Sequence, residues 1–179
     1  MYRKLLLSVL LIILPGFIAH SAGYPNKKIL ILAEGDYSLK NFAVADGRQL
    51  ANLLGHFNTT IEIDGVNKYK TGELENYDYT FYVGFHRKNQ VPSNFVSDII
   101  KTNKPVIWMN TGIMDASLAP GFLEKFGFTV PMVDSTSEYD IVKSNNRIFT
   151  KGEDNCFIIN ISNKNTVQVL ATAVSTKKR

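Results

Sequence analysis

Three places in the chain carry side chains that could do chemistry. Glu34-Gly35-Asp36-Tyr37-Ser38 gathers two carboxylates and a hydroxyl around a glycine, Asn110-Thr111-Gly112 sets an amide and a hydroxyl before another, and His86 is an imidazole between them. Carboxylates, amides and hydroxyls in a cleft can hydrogen-bond a hydroxylated ligand. A threonine beside an imidazole base can also attack a carbonyl, so Thr111 with His86 is the one nucleophile–base pair to consider. Asp and Ser are equally favoured ahead of helices, where they accept from free backbone N–H groups, so Asp36 and Ser38 can be simple caps. The ligand-binding candidates are Asp36, Ser38, His86, Asn110, Thr111 and Gly112.

Other reactive types are too scattered to make a site. Of three histidines, His20 belongs to an amino-terminal leader, and His56 follows Gly55 at a helix end, where a cation suits the dipole. Two isolated histidines do not make a zinc site, and Asp134, Asp140 and Asp154 lack calcium-loop spacing. Cys156, the single cysteine, precedes Phe157-Ile158-Ile159 and reads as a buried, inert thiol. No catalytic residue, metal or cofactor is assigned.

These residues sit at the ends of apolar runs. Lys104-Pro105-Val106-Ile107-Trp108-Met109 leads into Asn110 and reads as a central strand buried on both faces, and a strand over 28–33 leads into Glu34 in the same way. The two strand ends are expected side by side, forming a cleft at the carboxyl edge of the sheet, where open α/β sheets bind ligands. The spacing predicts helices over 41–57, 92–102 and 116–126 and further strands over 59–63, 78–85 and 128–133. The order β-α-β-β-α-β-α-β predicts a three-layer, mainly parallel, flavodoxin-like sheet. From about residue 135 short alternating runs over 139–143, 147–150, 156–161 and 166–174 are broken by polar turns, and predict an antiparallel β extension on one sheet edge.

Composition fits one folded unit: 179 residues, 45% hydrophobic and 20% charged, are ordinary for a globular domain. Arg3 and Lys4, a largely apolar run over 5–14, Pro15-Gly16 and Ala19-His20-Ser21 have the order of a secretory signal peptide. The expected division is a signal peptide at 1–21 and a single α/β domain at 22–179, exported to the periplasm or exterior without a stable membrane anchor. Cleavage removes Arg3 and Lys4, lowering the formal charge from +4 to +2. The remaining basic cluster, Lys177-Lys178-Arg179, is too short for a nucleic-acid footprint. A monomer is expected.

The segments ILAEGDYSLKNFAVADGRQLANLLGHF, NYDYTFYVGF, KPVIWMNTG and DSTSEYDIVKSNNRIFTKGE resemble the amino-terminal region of bacterial exported proteins related to polysaccharide deacetylases. In those proteins a flavodoxin-like or class I glutamine amidotransferase-like domain precedes a deacetylase-like barrel. In amidotransferase-like folds the turn at Asn110-Thr111-Gly112 would hold a nucleophilic cysteine, and here it holds none. The deacetylase region would supply metal-binding aspartates and histidines, and the chain ends at Arg179 before it, so no catalytic residue carries over. The resemblance implies a non-catalytic accessory domain for envelope polysaccharide modification, binding carbohydrate or an envelope protein. An amide or ester hydrolase using Thr111 and His86, or the front part of a longer deacetylase-like protein, are the alternatives.

Overall fold

The computed structural model describes residues 25–36, 41–86, 90–134, 139–150 and 156–176. The expected signal peptide and Ser38 lie outside the described residues. Four parallel strands form the main sheet: β1 (Lys27–Ala33), β2 (Thr59–Gly65), β3 (Tyr79–Val83) and β4 (Val106–Met109), in the spatial order β2-β1-β3-β4. β1 pairs in register with both β2 and β3, and β3 with β4.

Side-chain alternation along β1 builds both halves of the core. Leu30 and Leu32 join Tyr82, Phe95, Ile99 and Phe122 on one face, under helix α2 (Ser93–Lys101) and the short helices α3 (Ile113–Ser117) and α4 (Phe122–Phe126). Ile29, Ile31 and Ala33 join Val83 on the other, under helix α1 (Phe42–Leu54), which contributes Ala43 and Val44. α1 comes close because Gly47 faces Ile31, where even a methyl group would stand 3.3 Å from Ile31 Cγ2. Each fully buried Leu or Ile contributes about 1.5–3 kcal/mol, so β1, apolar on both faces, is the organising strand.

Four expectations change. β4 is an edge strand of the four-stranded sheet, and β3 lies between it and β1. Its apolarity comes from Trp108 and Val106 packing on the α2-side core, while Met109 is exposed. The helix expected over 116–126 is two helices, because the stretch between them contains Pro120 and Gly121, the latter at φ +86°. β5 (Phe128–Asp134) leaves the main sheet and pairs antiparallel with β8 (Cys156–Ile161). Beyond it β6 (Ile141–Ser144), β7 (Arg147–Thr150) and β9 (Thr172–Val174) form a second antiparallel sheet, in the order β7-β6-β9. The carboxyl-terminal β part is thus two small sheets, and of the run over 166–174 only Thr172–Val174 is strand.

Candidate functional site

The carboxyl ends of β1, β3 and β4 are neighbours running in one direction, so Asp36, His86, Asn110, Thr111 and Gly112 gather at one edge of the sheet. Glu34 organises that edge. It follows Ala33, on the side of the sheet shared with Leu30 and Leu32, and is 1% exposed. Its Oε2 accepts from the backbone N–H of Phe85 and, at 2.6 Å, from that of His86, and lies 3.3 Å from the Thr111 hydroxyl. Its backbone is held too: the N–H donates to Val83 O at 2.8 Å, and the carbonyl accepts from Asn41 Nδ2 at 2.5 Å. One carboxylate therefore ties the loops after β3 and β4 to the end of β1. The other oxygen, Oε1, is buried without a hydrogen-bond partner among the described residues.

Sharp backbone geometry at the end of β4 sends adjacent residues in opposite directions. Asn110 has φ +66° and Gly112 φ +89°. Asn110 is exposed and lines a groove, whereas Thr111 is 6% exposed. The Thr111 hydroxyl lies 3.3 Å from the His86 carbonyl as well as from Glu34, and the Thr111 carbonyl accepts from Trp108 Nε1 at 2.8 Å. Two glycines make room for the turn. A Cβ on Gly84 would stand 2.5 Å from the Thr111 carbonyl oxygen, and one on Gly112 would stand 2.9 Å from the Tyr82 hydroxyl. Burial, followed by the negative charges of Glu34 and Asp115, pushes the Tyr82 phenol well above its ordinary range.

The candidates thus separate. Thr111 and His86 meet, but through the His86 carbonyl; the imidazole lies edge-on to Phe85, with ring centroids 4.9 Å apart. The alternative reading, a nucleophilic Thr111 with a His86 base, calls for the imidazole, whereas this contact is made by the backbone carbonyl. Gly112 serves close packing over Tyr82. Asp36 is exposed, and its carbonyl accepts from Asn41 Nδ2 at 3.1 Å. Helix α1 is capped by Asn41, whose Oδ1 accepts from Ala43 N at 2.9 Å, so Asp36 is not the cap. Among the described residues no three His, Cys, Asp or Glu side chains come together to hold a metal, and no helix is long and apolar enough to cross a membrane.

Asn110 opens onto a groove of about 580 Å³ on the α1 side of the sheet, lined also by Asp46, Gln49, Leu50 and Leu53 of α1, Val83 of β3 and the Gly84 that follows it, Met109 of β4 and Phe157 of β8. Sequence reasoning missed Asp46 and Gln49 because they look like the solvent face of an amphipathic helix. They flank a groove because α1 covers β1 and leaves the β3–β4 side of the face open. Glu34 was visible only as part of an acidic loop. Its signal was its parity with Leu30 and Leu32, which continues the buried alternation by one residue. No protein-family model, curated protein or solved structure matches the chain.

Proposed function

We propose that this chain is an exported, non-catalytic accessory domain of envelope polysaccharide modification, with a flavodoxin-like, class I glutamine amidotransferase-like α/β architecture. It binds carbohydrate in the groove beside α1. The observation that carries this reading is the turn after β4. A positive-φ residue between a strand and a helix is how α/β folds expose a reactive side chain, and here that position belongs to Asn110. An amide donates and accepts hydrogen bonds but is a poor nucleophile, while the neighbouring hydroxyl of Thr111 is buried against Glu34. Asp46 and Gln49 add a carboxylate and a second amide to the same groove, over a floor that includes Val83 and Met109. Few polar groups converging over an apolar floor are the usual make-up of a small-ligand site.

The test is retention of the full chain on immobilised polysaccharides, with Asp46→Ala and Asn110→Gly as variants. Glycine keeps the positive φ while removing the amide. The reading requires retention by the parent chain, its loss in both variants, and unchanged melting temperatures. Retention that neither substitution reduces, or capture of an envelope protein with no retention on any polysaccharide, would overturn it.

A further inference from the structure

An aromatic pair stands next to two parts of the groove wall, at the start of α1 and directly after Gly84. Phe42, the first residue of α1, stacks on Phe85 with ring centroids 4.8 Å apart and planes 24° from parallel, and the His86 ring meets Phe85 edge-on. Both rings face water: Phe42 is 61% and Phe85 37% exposed. Resting on the carbohydrate reading above, we propose that this pair is a stacking platform for a pyranose ring, at the head of a subsite that runs down α1 and takes uncharged or amino-bearing oligosaccharides.

Helix geometry joins platform and groove. At 3.6 residues per turn Phe42, Asp46, Gln49 and Leu53 fall on one line of α1, and Gln49 lies about 10 Å along the axis from Phe42. Asp46, Gln49 and Leu53 all line the groove, as does Gly84, the residue before Phe85. One continuous strip therefore offers an aromatic face, then a carboxylate and an amide, then an apolar side chain, with Asn110 on the facing wall. Its length suits a short oligosaccharide rather than a single sugar.

The order of groups along the strip selects the occupant. A protein partner needs an apolar centre and a polar rim, because charged side chains are depleted where an interface is fully desolvated. Here Asp46 and Gln49 sit in the middle of the strip, between Phe42 and Leu53. A pyranose has the matching pattern, with an apolar C–H face that lies on an aromatic ring and a rim of hydroxyls that both donate and accept. Among the described residues of the lining Asp46 is the charged one, and its carboxylate disfavours a uronate and accepts from hydroxyl or ammonium groups. The platform is also held in place before any ligand arrives. The backbone N–H groups of Phe85 and His86 are the two that Glu34 Oε2 fixes, and Asn41, the α1 cap that precedes Phe42, donates to the Glu34 carbonyl. Ordering a site in advance removes a cost that binding would otherwise bear.

The experiment is calorimetric titration of the full chain with cellohexaose, a chitosan hexamer and an oligogalacturonate. The parent chain is expected to bind one or both of the first two more tightly than the third. Phe42→Ala and Phe85→Ala are each expected to weaken that binding about tenfold or more, which is about 1.4 kcal/mol. Phe42→Leu, which keeps apolar bulk without an aromatic face, should lose as much as Phe42→Ala, and Phe42→Trp should retain affinity. Because Phe42 is exposed, its variants should melt with the parent chain. Binding that survives unchanged in Phe42→Ala and Phe85→Ala overturns the platform while leaving glycan binding standing. Tightest binding of the oligogalacturonate overturns the ligand class. A parent chain that binds none of the three overturns the carbohydrate reading itself.

Discussion

Removing the Glu34 carboxylate should loosen the loops after β3 and β4 together. In Glu34→Ala the backbone N–H groups of Phe85 and His86 lose their acceptor, and the Thr111 hydroxyl loses one neighbour. A donor left unsatisfied in a buried place costs about 1–3 kcal/mol, so two cost about 2–6 kcal/mol. Against this, alanine also removes a carboxylate whose Oε1 is buried without a partner among the described residues, and burying such a group is itself unfavourable. The net loss expected is about 2–4 kcal/mol, a large part of the roughly 5–15 kcal/mol that holds a domain together. For a chain of this size it corresponds to a fall of about 5–15 °C in Tm. Glu34→Gln should lose less, about 1–3 kcal/mol, because its amide oxygen can still accept from both N–H groups while its NH2 takes the unpartnered position of Oε1. Urea unfolding followed by circular dichroism gives the global loss. Trp108 emission gives the local one, since its indole N–H donates to the Thr111 carbonyl at 2.8 Å. A Glu34→Ala chain within about 0.5 kcal/mol of the parent, the range of an ordinary surface change, with unaltered Trp108 emission, would refute the reasoning.

Trp108→Ala should destabilise by about 3 kcal/mol, the low end for a truncated aromatic, because Trp108 packs tilted against Tyr82 with ring centroids 4.2 Å apart but stands on an edge strand; a near-native melting temperature would show that this packing is not made. Gly84→Ala must push the turn after β4 away, since its Cβ would lie 2.5 Å from the Thr111 carbonyl oxygen. A loss of about 1–3 kcal/mol is expected, and native-like stability would count against the close approach. Burial raises the phenols of Tyr69 and Tyr82 above their ordinary range, although the Leu74 N–H partly offsets this at Tyr69. The unfolded chain then gives up tyrosine protons first, so stability present below about pH 10 should fall as the pH rises further. Tyrosinate absorbance that appeared in the folded chain at about pH 10 for all its tyrosines would contradict this.

Much of the fold could be read from the sequence because local signals agreed with tertiary packing. The strand over 28–33 and helix over 41–57 appear as Lys27–Ala33 and Phe42–Leu54, and Arg147–Thr150 and Cys156–Ile161 keep their expected bounds. What could not be read was strand order. The run ending in Trp108 looks like a central strand because a large aromatic can fill a core from the sheet edge as well as from its middle, and apolar content does not distinguish them. Nor does alternation tell which sheet a strand joins, so β5 looked like a fifth strand of the main sheet. Within the helix expected over 41–57, spacing does not separate Phe42 from the core-facing residues. It shares helical spacing with Ala43 and Leu50, yet it is exposed while Ala43 is buried.

The site itself was legible as a place but not as an arrangement of side chains. Parallel strand ends must emerge on one edge, so the gathering of Asp36, His86, Asn110 and Thr111 followed from topology alone. Which of them faces the groove depends on a break in the two-residue period, and a positive φ makes that break. At Asn110 the backbone turns left-handed, which asparagine tolerates far better than threonine does. That tolerance sorts the pair: the amide stands at the turn and meets the groove, and the hydroxyl that follows is carried inward to Glu34. Gly84 and Gly112 then let the turn close over β3 and Tyr82, where any side chain would hold it off. The residue best suited to nucleophilic chemistry is therefore the one the fold buries, and the groove receives an amide.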